Sequence, residues 1–89
     1  MAHSLSARKR VRQNLKLRER NRVSRSRMRT MIKAFRSKVE SGDLENARAY
    51  FPTVAREIDL TAKKGIIKDA TASRYKSRLA KLLQHQISA

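Results

Sequence analysis

From Leu5 to Val39 the chain contains neither glycine nor proline. Strong helix formers, chiefly Arg, Lys, Leu, Ala and Met, fill most of this stretch, and nothing in it ends a helix. Its 35 residues would form a helix of about 52 Å at ~1.5 Å per residue. A compact domain of 89 residues is only about 30 Å across. The N-terminal half of such a helix must protrude from the body or lie along a partner.

Apolar residues with a 3.6-residue period predict three helices. In the first, spanning about 5–40, Met28, Met31, Ile32, Phe35 and Val39 form a stripe fit for burial. Upstream the same face carries Leu17, Asn21 and Ser24 and becomes polar. Ser41-Gly42-Asp43 separates this helix from the next, with Gly42 as the stop and Asp43 as the N-cap. The second helix, 43–64, has the seam Leu44, Ala47, Phe51, Val54 and Ile58. Pro52 removes a backbone donor and crowds the Arg48 carbonyl, predicting a kink near Ala49–Phe51 or two short helices in succession. After Lys63-Lys64-Gly65, Ile66 and Ile67 are expected to plug the end of the bundle. The third helix, 69–87, is capped by Asp69 or Thr71. Its seam is Ala72, Tyr75, Leu79, Leu82 and Gln86, flanked by Leu83 and Ile87. Short connections make neighbours antiparallel, so the expected fold is all-α: a single domain over 1–89, a three-helix antiparallel bundle with a protruding first helix. No segment recurs at a fixed period, which excludes a repeat array.

A bundle this small usually needs an idealised core, a metal, disulfides or a partner. Cysteine is absent, which excludes disulfides and thiolate zinc sites and fits a reducing compartment. His3 and His85 lie at opposite ends, against a histidine metal site. No apolar run approaches the ~20 residues of a membrane span, and no signal-peptide h-region follows Met1. Ser4–Arg10 has the Ser/Arg bias of a transit peptide, but the basic pattern continues to Lys38, inside a core-packing helix.

Charge points to the partner. The first forty residues hold fourteen Lys or Arg against Glu19 and Glu40, a balance of +12 within a chain total of +16. Such density repels itself in a compact state unless a polyanion neutralises it. At ~100° per residue the first helix resolves into two basic ridges flanking the apolar stripe. Arg18, Arg22, Arg25, Arg29, Lys33 and Arg36 form one; Lys9, Lys16, Arg20, Arg27 and Lys38 gather opposite. Arg74, Arg78 and Lys81 make a smaller ridge on the third helix. Acid is nearly absent from these ridges, so i,i+4 pairing does not account for them. Ten of the fourteen cations are Arg, which favours bidentate phosphate contacts and stacking. Asn14, Asn21 and Gln13 stand among them as donors to phosphate, ribose or base edge. The four aromatic residues fall on or near seams, not in an exposed stacking array. The pattern fits recognition of folded RNA by shape and backbone. Without that RNA, residues before about Val23 are expected to fray.

Other functions fit less well. The seven carboxylates are scattered, Glu57 and Asp59 face different sides of a helix, and no nucleophile constellation or phosphate loop occurs, so no enzyme is expected. Arg20–Arg27 has the flavour of a bZIP basic region, but its heptad runs Met28, Phe35, Gly42, which is no zipper. A helical nucleoid-type DNA-binding protein is the alternative of a different class. A membrane-surface helix is disfavoured by the absence of Trp and the sparse apolar face before Met28.

With these residues laid out, the chain resembles the bacterial small-subunit ribosomal protein family conventionally numbered twenty. Ser6–Arg10 with Arg12-Gln13-Asn14 looks like the family's opening, and Asn21-Arg22 and Arg29–Lys33 like its mid-helix pattern. Most specific is Ala62-Lys63-Lys64-Gly65-Ile66-Ile67 followed by Ala72–Leu79. The resemblance implies a three-helix bundle bound directly to small-subunit ribosomal RNA, structural and without catalysis. It adds Arg8, Arg10, Arg12, Lys63, Lys64 and Lys68 to the ridge residues as RNA contacts. It also implies the bacterial cytoplasm, or less readily a plastid stroma, with no cofactor, membrane, small-molecule substrate or homo-oligomer. One departure stands out: where the family usually has His-Lys-Asn, this chain has Lys68-Asp69-Ala70, and Asp69 repels phosphate.

Overall fold

A computed structural model describes residues 5–88, leaving His3 outside the described residues. Among these residues the chain is helix and turn only: α1 (Leu5–Glu40), α2 (Leu44–Lys63) and α3 (Asp69–Ser88). The molecule measures 63 × 22 × 17 Å, with a radius of gyration of 17.7 Å, against about 12 Å for a compact chain of this length. The excess is α1. Every residue from Arg8 to Arg20 is exposed, and the first buried side chain of α1 is Met28.

The core lies where the three apolar stripes meet. Met28, Phe35 and Val39 of α1, Ala47, Val54 and Ile58 of α2, and Ala72, Leu79 and Leu83 of α3 are buried together. Burying each large side chain contributes about 1.5–3 kcal/mol. Phe35 and Phe51 join α1 to α2, their centroids 5.6 Å apart and their planes tilted by 55°. The one buried polar side chain among the described residues, Thr61, donates its hydroxyl to the Glu57 carbonyl at 2.8 Å.

Both turns use the same device. Gly42 N–H donates to the Val39 carbonyl and Asp43 N–H to that of Lys38; Gly65 N–H donates to Ala62 and Ile66 N–H to Thr61. These paired bonds require a left-handed residue after the helix, and Gly42 and Gly65 supply it at φ 81° and 77°. The second turn also buries Ile66, with Ile67 half-buried against the core, so the two isoleucines close the end of the bundle.

Several local expectations are corrected. The anticipated division into two short helices at Pro52 does not occur; α2 is one helix from Leu44 to Lys63. Arg48 and Pro52 are both exposed, so the carbonyl deprived of its partner lies on the solvent side, while Val54 and Ile58 keep the following turns in the core. Asp43 occupies the N-cap position of α2 but makes no side-chain cap bond. Its ψ of 65° departs from the extended backbone of a capping residue, and the carboxylate instead accepts from Asn46 Nδ2 at 2.8 Å. In α3 neither Asp69 nor Thr71 is the cap: Asp69 is the first helical residue, and the Lys68 carbonyl accepts the Ala72 N–H. The α3 seam ends on Leu83; Gln86 and Ile87 are exposed because the helix runs a turn past the last core layer.

Candidate nucleic-acid interface

The candidate residues fall into three settings. Arg8, Lys9, Arg10, Arg12, Asn14, Lys16, Arg18 and Arg20 lie along the exposed N-terminal arm of α1. The arm has no acid in its first turn, so its opening cations sit at the positive end of the helix dipole, where they are disfavoured. Its helix rests on its own backbone bonds.

Nearer the body the two ridges differ. One faces α2, whose acids reach it: Glu57 Oε1 lies 3.5 Å from Arg27 Nε. On the same flank Lys38 Nζ stands 5.5 Å from the centre of the Tyr50 ring, a cation–π contact. The other faces α3. There Arg18, Arg22, Arg25 and Arg29, with Asn14, Leu17 and Asn21, line an open groove along α1. Arg22 clasps Glu19, Nη2 to Oε1 at 2.6 Å and Nε to Oε2 at 3.2 Å. That hydrogen bond, and then the guanidinium charge, hold the Glu19 carboxyl below its ordinary pKa. Arg25 Nη2 donates to the Ile66 carbonyl at 3.2 Å, tying α1 to the α2–α3 turn. Arg25 therefore has a structural contact besides its exposed face.

Further along, a groove of about 190 Å³ opens between α1 and α3. Met28, Ile32 and Leu79 form its floor, and Tyr75 lines it. Arg29, Lys33 and Arg36 from α1 meet Arg78 from α3 across its exposed rim. Arg74 and Lys81 are exposed on α3 but do not line the groove; Lys63, Lys64 and Lys68 are exposed around the α2–α3 turn. Tyr75 packs against the core, as its place on the α3 seam implies, and also lines this groove; Arg78, expected on a separate outer ridge, stands at the groove's rim. Their i,i+3 spacing, which makes them neighbours on one edge of α3, was the available signal.

Two acidic residues of α2 join it to its neighbours. Asp59 Oδ1 lies 2.7 Å from Lys76 Nζ, pairing α2 with α3, while Glu57 turns to α1. Among the described residues no group of three His, Cys, Asp or Glu side chains could hold a metal ion, and no helix is long and apolar enough to cross a membrane.

The description "Ribosomal protein S20" belongs to a family model that matches residues 2–84. The chain is 50% identical over 80 residues to the small ribosomal subunit protein bS20 of Nitrosomonas eutropha, covering 90% of this chain and 92% of that protein. It is 49% identical over 83 residues to the protein of the same name from Trichlorobacter lovleyi, covering 93% and 95%. With that of Halalkalibacterium halodurans the identity is 48% over 82 residues, covering 92% and 90%.

Proposed function

The chain belongs to the ribosomal protein S20 family, structural proteins of the small ribosomal subunit, and we propose that it binds small-subunit ribosomal RNA directly and holds separate RNA segments together. The observation that carries this reading is the pair of cationic ridges on the two flanks of a helix longer than its own domain. A cation on each flank can neutralise phosphates of a different RNA segment, while the apolar stripe between them anchors the helix to the bundle. Each ridge has one cation engaged by an acid, Arg22 by Glu19 and Arg27 by Glu57, and Arg29, Lys33 and Arg36 of the α3-facing ridge are in no ion pair among the described residues. The exposed arm extends the same surface away from the body. In this role the protein supports subunit assembly, performs no catalysis, and acts as a single copy on the cytoplasmic ribosome.

Filter binding to a small-subunit ribosomal RNA transcript over a salt series tests the proposal. Replacing Arg22, Arg25 and Arg29 together by Gln should weaken binding strongly and flatten the slope of log K against log salt by about 2, at roughly 0.7–0.9 for each phosphate no longer neutralised. Arg22 should contribute least, since it must first leave Glu19. An unchanged slope rejects the ridge as a phosphate-binding surface. Crosslinking in cells separates this reading from a nucleoid role: one ribosomal RNA region supports it, and dispersed genomic DNA overturns it.

A further inference from the structure

The groove between α1 and α3 combines features that a phosphate-binding surface does not need. Its floor is apolar, and its rim carries Arg29, Lys33, Arg36 and Arg78, none of them in an ion pair among the described residues. Of the chain's four aromatic residues, Phe35 and Phe51 face each other and Tyr50 has Lys38 over its ring. Tyr75 has neither a ring nor a cation partner among the described residues, and its hydroxyl has no hydrogen-bond partner there. It is half-buried, packed against the core on one side and lining the open groove on the other.

A paired RNA helix offers such a groove phosphates, ribose hydroxyls and base edges but no base face, because its bases are stacked on one another. An unpaired, splayed base offers a flat apolar face attached to a phosphate, which suits an aromatic wall below a cationic rim. The size agrees. About 190 Å³ falls below the roughly 300–1,000 Å³ of pockets for drug-sized ligands, leaving room for a single base. We propose that the α1–α3 groove binds one unpaired nucleotide of the ribosomal RNA, its base against Tyr75 and its phosphates among Arg29, Lys33, Arg36 and Arg78. This rests on the RNA-binding reading above and adds a base contact to a surface otherwise suited to backbone.

Full-length protein bound to a small-subunit ribosomal RNA transcript provides the test. Tyr75→Leu keeps an apolar side chain but removes the ring; it should lower affinity about tenfold, within the range for losing one stacked base, with the salt slope unchanged. Tyr75→Phe should retain wild-type affinity, because the hydroxyl has no partner to lose. Ultraviolet crosslinking of the wild-type complex, read by mass spectrometry, should place a nucleotide adduct on the peptide containing Tyr75, and this decides the matter if Tyr75→Leu fails to fold. A folded Tyr75→Leu variant within twofold of wild type, or a bound wild-type complex with no adduct on that peptide, overturns the nucleotide site and leaves RNA binding standing. Failure of the wild type to bind the transcript overturns both.

Discussion

Replacing Phe35 by alanine removes the ring that joins α1 to α2. Phe35 is fully buried and packs on Phe51 at 5.6 Å, so the loss should be about 3–5 kcal/mol, the aromatic pair accounting for ~0.5–1.5 of it. At ~0.05–0.15 kcal/mol per residue a chain this long has about 4–13 kcal/mol to lose. A net charge of +16 pushes it toward the lower end through self-repulsion. From about 5 kcal/mol, a loss of about 4 leaves roughly one molecule in six unfolded at 25 °C. Thermal melting followed by circular dichroism should show Tm falling by about 15–30 °C, while Phe35→Leu, which keeps the site apolar, should cost far less. Ribosomal RNA at a hundred times its Kd should return about 2.7 kcal/mol. The salt slope of binding should match wild type, because a buried ring touches no phosphate. A Tm loss under about 5 °C for Phe35→Ala would refute the claim that this core holds α1 in place.

Three other outcomes are expected. Gly65→Ala should cost about 1 kcal/mol in urea denaturation, because an alanine would have to hold φ near +77° although nothing lies within 4 Å of its Cβ; Gly65→Asn should cost less, and equal stability of all three chains would refute the strain. Hydrogen exchange of the RNA-free protein should be fast from Arg8 to Arg20 and slow around Phe35 and Val39, since only the latter helix bonds are covered by tertiary packing; equal protection along α1 would contradict this. The Glu19 carboxyl, followed by NMR, should titrate below the ordinary carboxylate range. Its ion pair with Arg22 is therefore complete above that range and dissolves as pH falls through the lowered pKa. Arg22→Gln should move the midpoint up to the ordinary value, and a superimposable curve would sink the assignment.

The helical architecture was legible because it depends on local features: the glycine-free first segment, the periodic stripes and two glycines placed where helices end. The family was legible from the Ala62–Ile67 block and its offset from Ala72–Leu79, a resemblance that the matched relatives show to be right. What escaped was relational. Periodicity located two ridges but could not say that Glu57 would face Arg27, or that Arg78 would stand across a groove from Lys33. Those facts depend on how α2 and α3 are rotated about their axes when they dock on α1. Likewise Asp43 has the residue type of a cap, but the preceding turn sets its backbone and carries the carboxylate elsewhere.

The distance from Leu5 to Met28 is about 35 Å of uninterrupted helix, and Met28 is the first side chain of α1 gripped by the core. The bundle thus acts on the arm as a fulcrum acts on a lever. Tilting α1 by about 10° at that point would sweep its tip through roughly 6 Å, about one helical turn. A repacking of a few atoms around Met28, too small to alter stability, could therefore change which phosphate each distal arginine meets.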